Sequence, residues 1–166
     1  MPANEPLFRS LLNKAVYESG QVKKFPAETV ILNLNSYIKS IPIVLSGSIK
    51  VIRTDDDGKE ILLYYIKPGE SCIMSFLAGL HNDTSKIKAI VEEDAELLLI
   101  PVDKASDWIR EFPEWSDFIF SLYQKRFEEL LEVVSEILRQ KSAEYSQKQH
   151  EKFEEIMPVF LSRCFM

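Results

Sequence analysis

The spacing of apolar residues changes character twice along the chain. Leu7, Leu11 and Leu12, then Ala15 and Val16, recur at the three-to-four-residue interval of a helix, and Gly20 is placed to stop it. From Phe25 to Ile100 the apolar residues come in short runs rich in β-branched side chains. These runs are Val30-Ile31-Leu32, Ile41 to Leu45, Ile49 to Ile52, Ile61 to Ile66, Ile87 to Val91 and Leu97 to Ile100. Turn-forming residues separate them at Pro26, Asn33 to Ser36, Ser46-Gly47, Asp56-Asp57-Gly58, Pro68-Gly69 and Glu92 to Asp94. Short strands so punctuated predict an all-β sandwich or barrel. The clearest hairpin is IKVIRT–DDDGKE–ILLYYI, because Asp57-Gly58 supplies the positive φ that a tight reversal needs.

After Pro101 the helical interval returns. Asp103 is placed to cap a short helix through Ile109, with Trp108 and Ile109 facing the core. Pro113 suits the first turn of a long helix, where its missing N–H costs nothing. Along that helix Phe120, Tyr123, Phe127, Leu130, Val134 and Ile137 alternate steps of three and four, a seam that packs the helix onto its own β-roll, pairs it with the same helix of a second copy, or does both, with the pairing expected. Trp115, Phe118, Ile119, Leu122, Leu131 and Val133 widen the apolar surface, so the helix needs more than one neighbour. From Arg139 the sequence RQKSAEYSQKQHEKFEE is polar on most faces, with Tyr145, Phe153 and Ile156 as its apolar exceptions. It reads as a solvated helical extension or a fraying tail.

Composition narrows the chemistry. A chain of 166 residues suits one domain with an appendage, and a net charge of −6 disfavours non-specific binding to nucleic acid. No apolar run is long enough for a membrane helix, and the start lacks the pattern of a signal peptide. The two cysteines, Cys72 and Cys164, form no C-x-x-C pair, which points to a reducing, cytoplasmic setting. His81 and His150 are far apart in sequence, so no zinc site is expected, and two cysteines cannot hold a four-thiolate iron–sulfur cluster. Glu92-Glu93-Asp94 reads as a solvated turn. With neither a phosphate-binding G-x-x-x-x-G-K-[ST] loop nor a G-x-S-x-G elbow, no enzyme is expected, and no metal or catalytic residue is assigned.

The stretch LSGSIKVIRTDDDGKEILLYYIKPGES resembles the cyclic-nucleotide-binding β-roll of the Crp/Fnr regulators. AIVEEDAELLLIPVDKASDWI continues the likeness through the last strands and the short helix, and the helix from about Pro113 is similar to the family's dimerisation helix. The resemblance implies a mainly β fold, a double-stranded β-helix or jelly roll with an N-terminal helix and a long C-terminal dimerisation helix. It divides the chain into a helical segment 1–24, a β-roll 25–101, the two helices 102–138 and a polar tail 139–166.

In relatives that bind cyclic nucleotides the ligand cassette resembles G-E-x-x-x, a short helix, then R-[ST]-A. Glu accepts the ribose hydroxyl, Arg neutralises the phosphate, and helix N-terminal amides hold it. Here Gly69 and Glu70 match the opening, Ser71 and Cys72 follow, and Ile73 to Leu80 stand where the short helix belongs. The arginine position falls at Ser85, followed by Lys86, and no arginine occurs between Arg53 and Arg110. Lys86 or Lys88 would carry an anion with different geometry. The expected ligand-binding residues are therefore Gly69, Glu70, Ser71, Cys72, Ser85 and Lys86, with cyclic-nucleotide binding altered or lost: cyclic AMP is not expected, another cyclic nucleotide or a different small anionic effector stays open, and no resident cofactor is expected. Gly69-Glu70 also reads as a plain β-turn after Pro68, and Cys72 as a small buried hydrophobe before a thiol sensor.

A full Crp/Fnr regulator carries a winged helix-turn-helix domain after the dimerisation helix. The residues after Ile137 are too few and too polar to build one, so this chain alone is not expected to bind DNA. The resemblance thus implies a non-enzymatic, effector-sensing homodimer of the transcription-regulator type. The alternative is a purely structural dimer with a dead cassette. A cupin-like jelly roll is disfavoured, because it needs several histidines and the strand region holds His81 alone.

Overall fold

Two long strands, β3 (Ser40–Thr54) and β5 (Lys88–Pro101), pair antiparallel over almost their whole length and carry the other strands. The structure, a computed structural model, describes residues 14–164, and the helix expected around Leu7 to Leu12 lies outside them. α1 (Lys14–Ser19) leads through Gly20 into β1 (Gln21–Phe25), which pairs with β5. The first strand thus begins inside the segment expected to be helical. β2 (Val30–Leu32) also pairs with β5, and β4 (Glu60–Ile66) pairs with β3, giving the antiparallel order β1-β5-β3-β4.

Gly47 and the acidic run opposite it correct two sequence expectations. Ser46-Gly47 and Glu92 to Asp94 were each expected to be turns separating strands, but both lie within continuous strands as facing irregularities. The β3–β5 register slips between Val44 and Ser46, between Ser46 and Ser48, and again before Ile49. Gly47 takes φ +76°, and a Cβ there would lie 2.7 Å from the Ala95 Cα and against the Asp94 carbonyl. Only glycine allows two backbones to approach so closely in that conformation. A turn and a bulge recruit the same residues, so composition could not distinguish them. Glu92 forms an ion pair with Lys50 at 2.8 Å, and Asp94 Oδ1 accepts the Ala27 N–H at 2.8 Å.

The β3–β4 hairpin forms as expected. Asp55 Oδ1 accepts the N–H groups of Asp57 and Lys59, the Gly58 N–H donates to the Asp55 carbonyl, and Gly58 sits at φ +81°.

Beyond the bend, the strands bury both faces. Ile41, Ile43, Leu98 and Ile100 point to a cluster with α2 (Ile73–Leu80), α3 (Val102–Glu111) and the start of α4 (Pro113–Cys164). Val44, Ile49, Val51, Leu97 and Val91 point into the roll, where Ile66, Cys72, Ile87 and Ala89 join them. This two-sided burial explains the unbroken apolar run Leu97 to Ile100. Trp115 anchors the helical side. Its ring lies 5.4 Å from Trp108 at 87° and 6.2 Å from Phe76, and its Nε1 donates to the Ala105 carbonyl at 2.9 Å.

Pro113 opens α4 as expected, and Trp108 is buried with Ile109 packed beside it. Asp103 sits in the first turn of α3 while Pro101 takes the N-cap, so the expected cap is displaced by two residues. The tail is an extension of α4 to Cys164; Tyr145, Phe153 and Ile156 lie outside the side chains described. The chain divides into two units, 1–123 and 124–166. Among the described residues, no helix is long and apolar enough to cross a membrane.

Two glycines with similar φ separate backbone strain from crowding. Gly58→Ala meets open space, so it should cost only the left-handed penalty of about 1–2 kcal/mol. Gly47→Ala must also displace the Asp94–Ala95 backbone and should cost distinctly more, about 3–4 kcal/mol, in urea unfolding of the two variants.

Candidate functional site

The cassette begins where β4 ends. Lys67 to Glu70 form a turn in which the Glu70 N–H donates to the Lys67 carbonyl at 3.0 Å and Glu70 Oε2 accepts the Lys67 N–H at 3.1 Å. Gly69 sits at φ +85° and donates to the Val44 carbonyl at 2.9 Å, while Val44 N–H donates to the Glu70 carbonyl at 3.0 Å. These bonds fasten the turn to β3. Ser71 is buried, and its hydroxyl donates to the Pro42 carbonyl at 2.7 Å. Cys72 is the N-cap of α2, fully buried, with its Sγ 4.0 Å from the Tyr64 hydroxyl.

Ser85 lies on the far side of α2. It is buried, donates to the Ile87 carbonyl at 2.7 Å and accepts the Ile87 N–H at 3.2 Å. Its backbone is tied to Ser36 and Asn35. Lys86 is exposed, and Lys88 pairs with Glu60 at 3.3 Å.

A cavity of 240 Å³ opens between the 31–42 segment, α2 and the inner face of the strands. Of the six residues expected to bind ligand, only Cys72 lines it. Gly69, Glu70 and Ser71 form the turn beneath, Ser85 serves its own turn, and Lys86 stands outside. Sequence reasoning missed Ser75, Ser36, Tyr37 and Lys39, which do line the cavity. One signal was available: a lone serine in the apolar run IMSFLAGL. The 33–40 segment gave none, since its polar residues read as a turn.

Residues 22–112 match the family model for the cyclic nucleotide-binding domain. The chain belongs to the cyclic nucleotide-binding domain family. The cAMP-activated global transcriptional regulator CRP of Haemophilus influenzae is 28% identical over 107 residues, covering 63% of this chain and 46% of that protein. The chain thus spans about half the length of that curated relative. Among solved structures, the catabolite activator protein of Thermus thermophilus aligns with a TM-score of 0.63 at 25% identity, over 79% of this chain and 63% of that one. A transcriptional regulator assigned to the Crp/Fnr family, from Eubacterium rectale, has the same fold, with a TM-score of 0.67 at 21% identity, over 82% and 64% of the two chains. The relatives are therefore regulators built on this domain, and the fold expected from the sequence is the one observed.

The expected dimer seam divides within α4. Tyr123 packs against the helical core cluster of its own unit, and its hydroxyl is buried without a hydrogen-bond partner among the described residues. Phe120 is 70% exposed. In the second unit Phe127, Leu130, Val134 and Ile137 are all exposed, as are Leu131 and Leu138 beside them. Ion pairs Arg126–Glu129 at 2.7 Å and Arg139–Glu136 at 2.8 Å lie along the helix between them.

Burial first, and the Cys72 charge second, hold the Tyr123 phenol above its ordinary pKa. An unfolded tyrosine releases its proton earlier as pH rises past about 10, so the folded form then binds more protons and loses stability with further alkali. Tyr123→Phe should abolish that alkaline loss. Near neutral pH it should leave stability unchanged or raise it by about 1 kcal/mol, since it removes an unsatisfied buried hydroxyl. Urea midpoints of both proteins at neutral pH and at about pH 10.5 check this.

Proposed function

We propose that the chain is a non-enzymatic, effector-sensing regulatory module of the Crp/Fnr type, which pairs through α4 with a second copy and does not use cyclic AMP as its effector. The observation that carries this reading is the fate of Ser85. At the position where the resemblance calls for a phosphate-binding arginine, the side chain is a hydroxyl spent on Ile87, and no arginine lines the cavity. A cyclic phosphate would lose its bidentate partner there. Glu70, which the resemblance assigns to the ribose, has an oxygen engaged with the Lys67 N–H.

The pairing partner is a second copy of the same helix. Phe127, Leu130, Val134 and Ile137 alternate steps of three and four along one face and stay 43% to 60% exposed in the single chain. A face with that interval is self-complementary, so an identical helix covers it with knobs meeting holes. Coupling requires an effector with different affinity for two arrangements of the paired helices.

Calorimetry with cyclic AMP should give no binding in the micromolar range, and a micromolar Kd would overturn the effector assignment. In sedimentation equilibrium at tens of micromolar the wild type should be a dimer. Leu130→Glu should be a monomer, because an unpaired carboxylate in the seam costs several kcal/mol. A monomeric wild type overturns the pairing. A variant that stays dimeric but melts earlier would place Leu130 away from the interface.

A further inference from the structure

β4 is the last strand of the sheet, and among the described residues it pairs with β3 alone. An edge strand offers its backbone to another extended chain, and proteins usually blunt such an edge with charge or proline inside the strand. β1, at the opposite edge, is blunted in this way by the exposed Lys23 and Lys24. β4 is not, since Ile61 to Ile66 read ILLYYI. Ile61, Leu62 and Leu63 are 43% to 49% exposed. Successive strand residues point to opposite faces, so this stretch is uncovered on both.

Charges of opposite sign flank the apolar run. Glu60 precedes it and spends Oε1 on Lys88 at 3.3 Å. Lys67 follows it, exposed, and its ammonium has no ion-pair partner among the described residues. Reversed, EILLYYIK keeps its pattern with the signs exchanged. An antiparallel copy set two-fold about the Leu63–Tyr64 bond brings Glu60 opposite Lys67, Ile61 opposite Ile66, Leu62 opposite Tyr65 and Leu63 opposite Tyr64. Apolar side chains then meet apolar ones and unlike charges meet at both ends, the opposed pairs that favour a sheet. The β3–β4 ladder slips between Leu62 and Tyr64, beside the centre of that register, so both copies share the bend it introduces.

We propose that β4 is a second self-association surface, on which two copies add edge to edge, antiparallel, with Glu60 of each facing Lys67 of the other. The surface is separate from the α4 seam, so a chain using both joins α4 pairs into larger assemblies. Two such short strands bury far less than the ~1,200 Å² of a stable complex, so the contact is weak, with a Kd on the order of 1 mM.

Light scattering from about 20 μM to about 2 mM reads the contact in the wild type and in Leu130→Glu. In Leu130→Glu the β4 contact alone should convert monomer to dimer near ~1 mM. In the wild type the same rise should start from the α4 dimer, or from monomer if α4 does not pair, so the two readings fail separately. Glu60→Lys and Lys67→Glu should each weaken the contact about tenfold, because each sets like charges opposite one another twice. An equimolar mixture of those two variants should recover the wild-type affinity, since every facing pair is again of opposite sign. General repulsion forecasts the contrary, because Glu60→Lys lowers the magnitude of a net charge of −6 and would ease association. Leu63→Lys, a charge inside the edge, should abolish the contact without lowering the melting temperature.

No association up to about 2 mM, stronger association of Glu60→Lys, or no recovery in the mixture would each overturn the proposal. Association that survives Leu63→Lys would place the contact elsewhere on the surface. Association present in the wild type but absent from Leu130→Glu would assign it to α4 and overturn the β4 contact.

Discussion

The close crossing of Gly47 over the Asp94–Ala95 backbone is the constraint on which the remaining architecture rests. β3 and β5 are too long to remain a flat ribbon, and sheets that roll need places where the ladder can slip. Slippage on both sides of Gly47 redirects the paired strands there. One half of the pair then backs onto the helices and the other closes over the interior of the roll. Residues adjacent in sequence, such as Ile43 and Val44, enter different clusters because successive side chains of a strand point to opposite faces and both faces are buried here. The cassette is held by the same arrangement, since Val44 exchanges bonds with both Gly69 and Glu70.

Much of this was legible from the order of residues. β-branched runs marked the strands, Asp57-Gly58 marked the hairpin, and Pro113 marked the start of the last helix. Each is a local signal with a local cause. What escaped was non-local. Whether Ser46-Gly47 turns the chain or bulges within a strand depends on what lies opposite, and Asp94 is far away in sequence. The same applies to Tyr123, which shares the interval of Phe127 and Leu130 but belongs to the core of its own unit because α4 passes the helical cluster there. Periodicity ranks positions by face and says nothing of where along a helix the covering partner changes.

At the candidate site, the residues expected from the resemblance and the residues that line the cavity coincide only at Cys72. Glu70 and Ser85 stand close to where a cyclic-nucleotide cassette has its chemistry, and both use polar atoms to hold the backbone. A sequence records that a polar residue is present, not whether its hydrogen-bonding capacity is already consumed. Accounting for each buried donor and acceptor, rather than matching letters to a motif, separates scaffold from site.

The packing of Trp115 against Trp108 has an optical consequence. These are the only tryptophans in the chain, and both are buried in one nearly perpendicular pair. All indole emission therefore arises from a single location, where α3, the start of α4 and the strand pair converge. The chain carries its own reporter at the junction between roll and helix, with no background from elsewhere and no label required. Rearrangement of that junction would alter emission wavelength and near-ultraviolet dichroism together, whereas events confined to the hairpin tip or the distal helix would leave both silent.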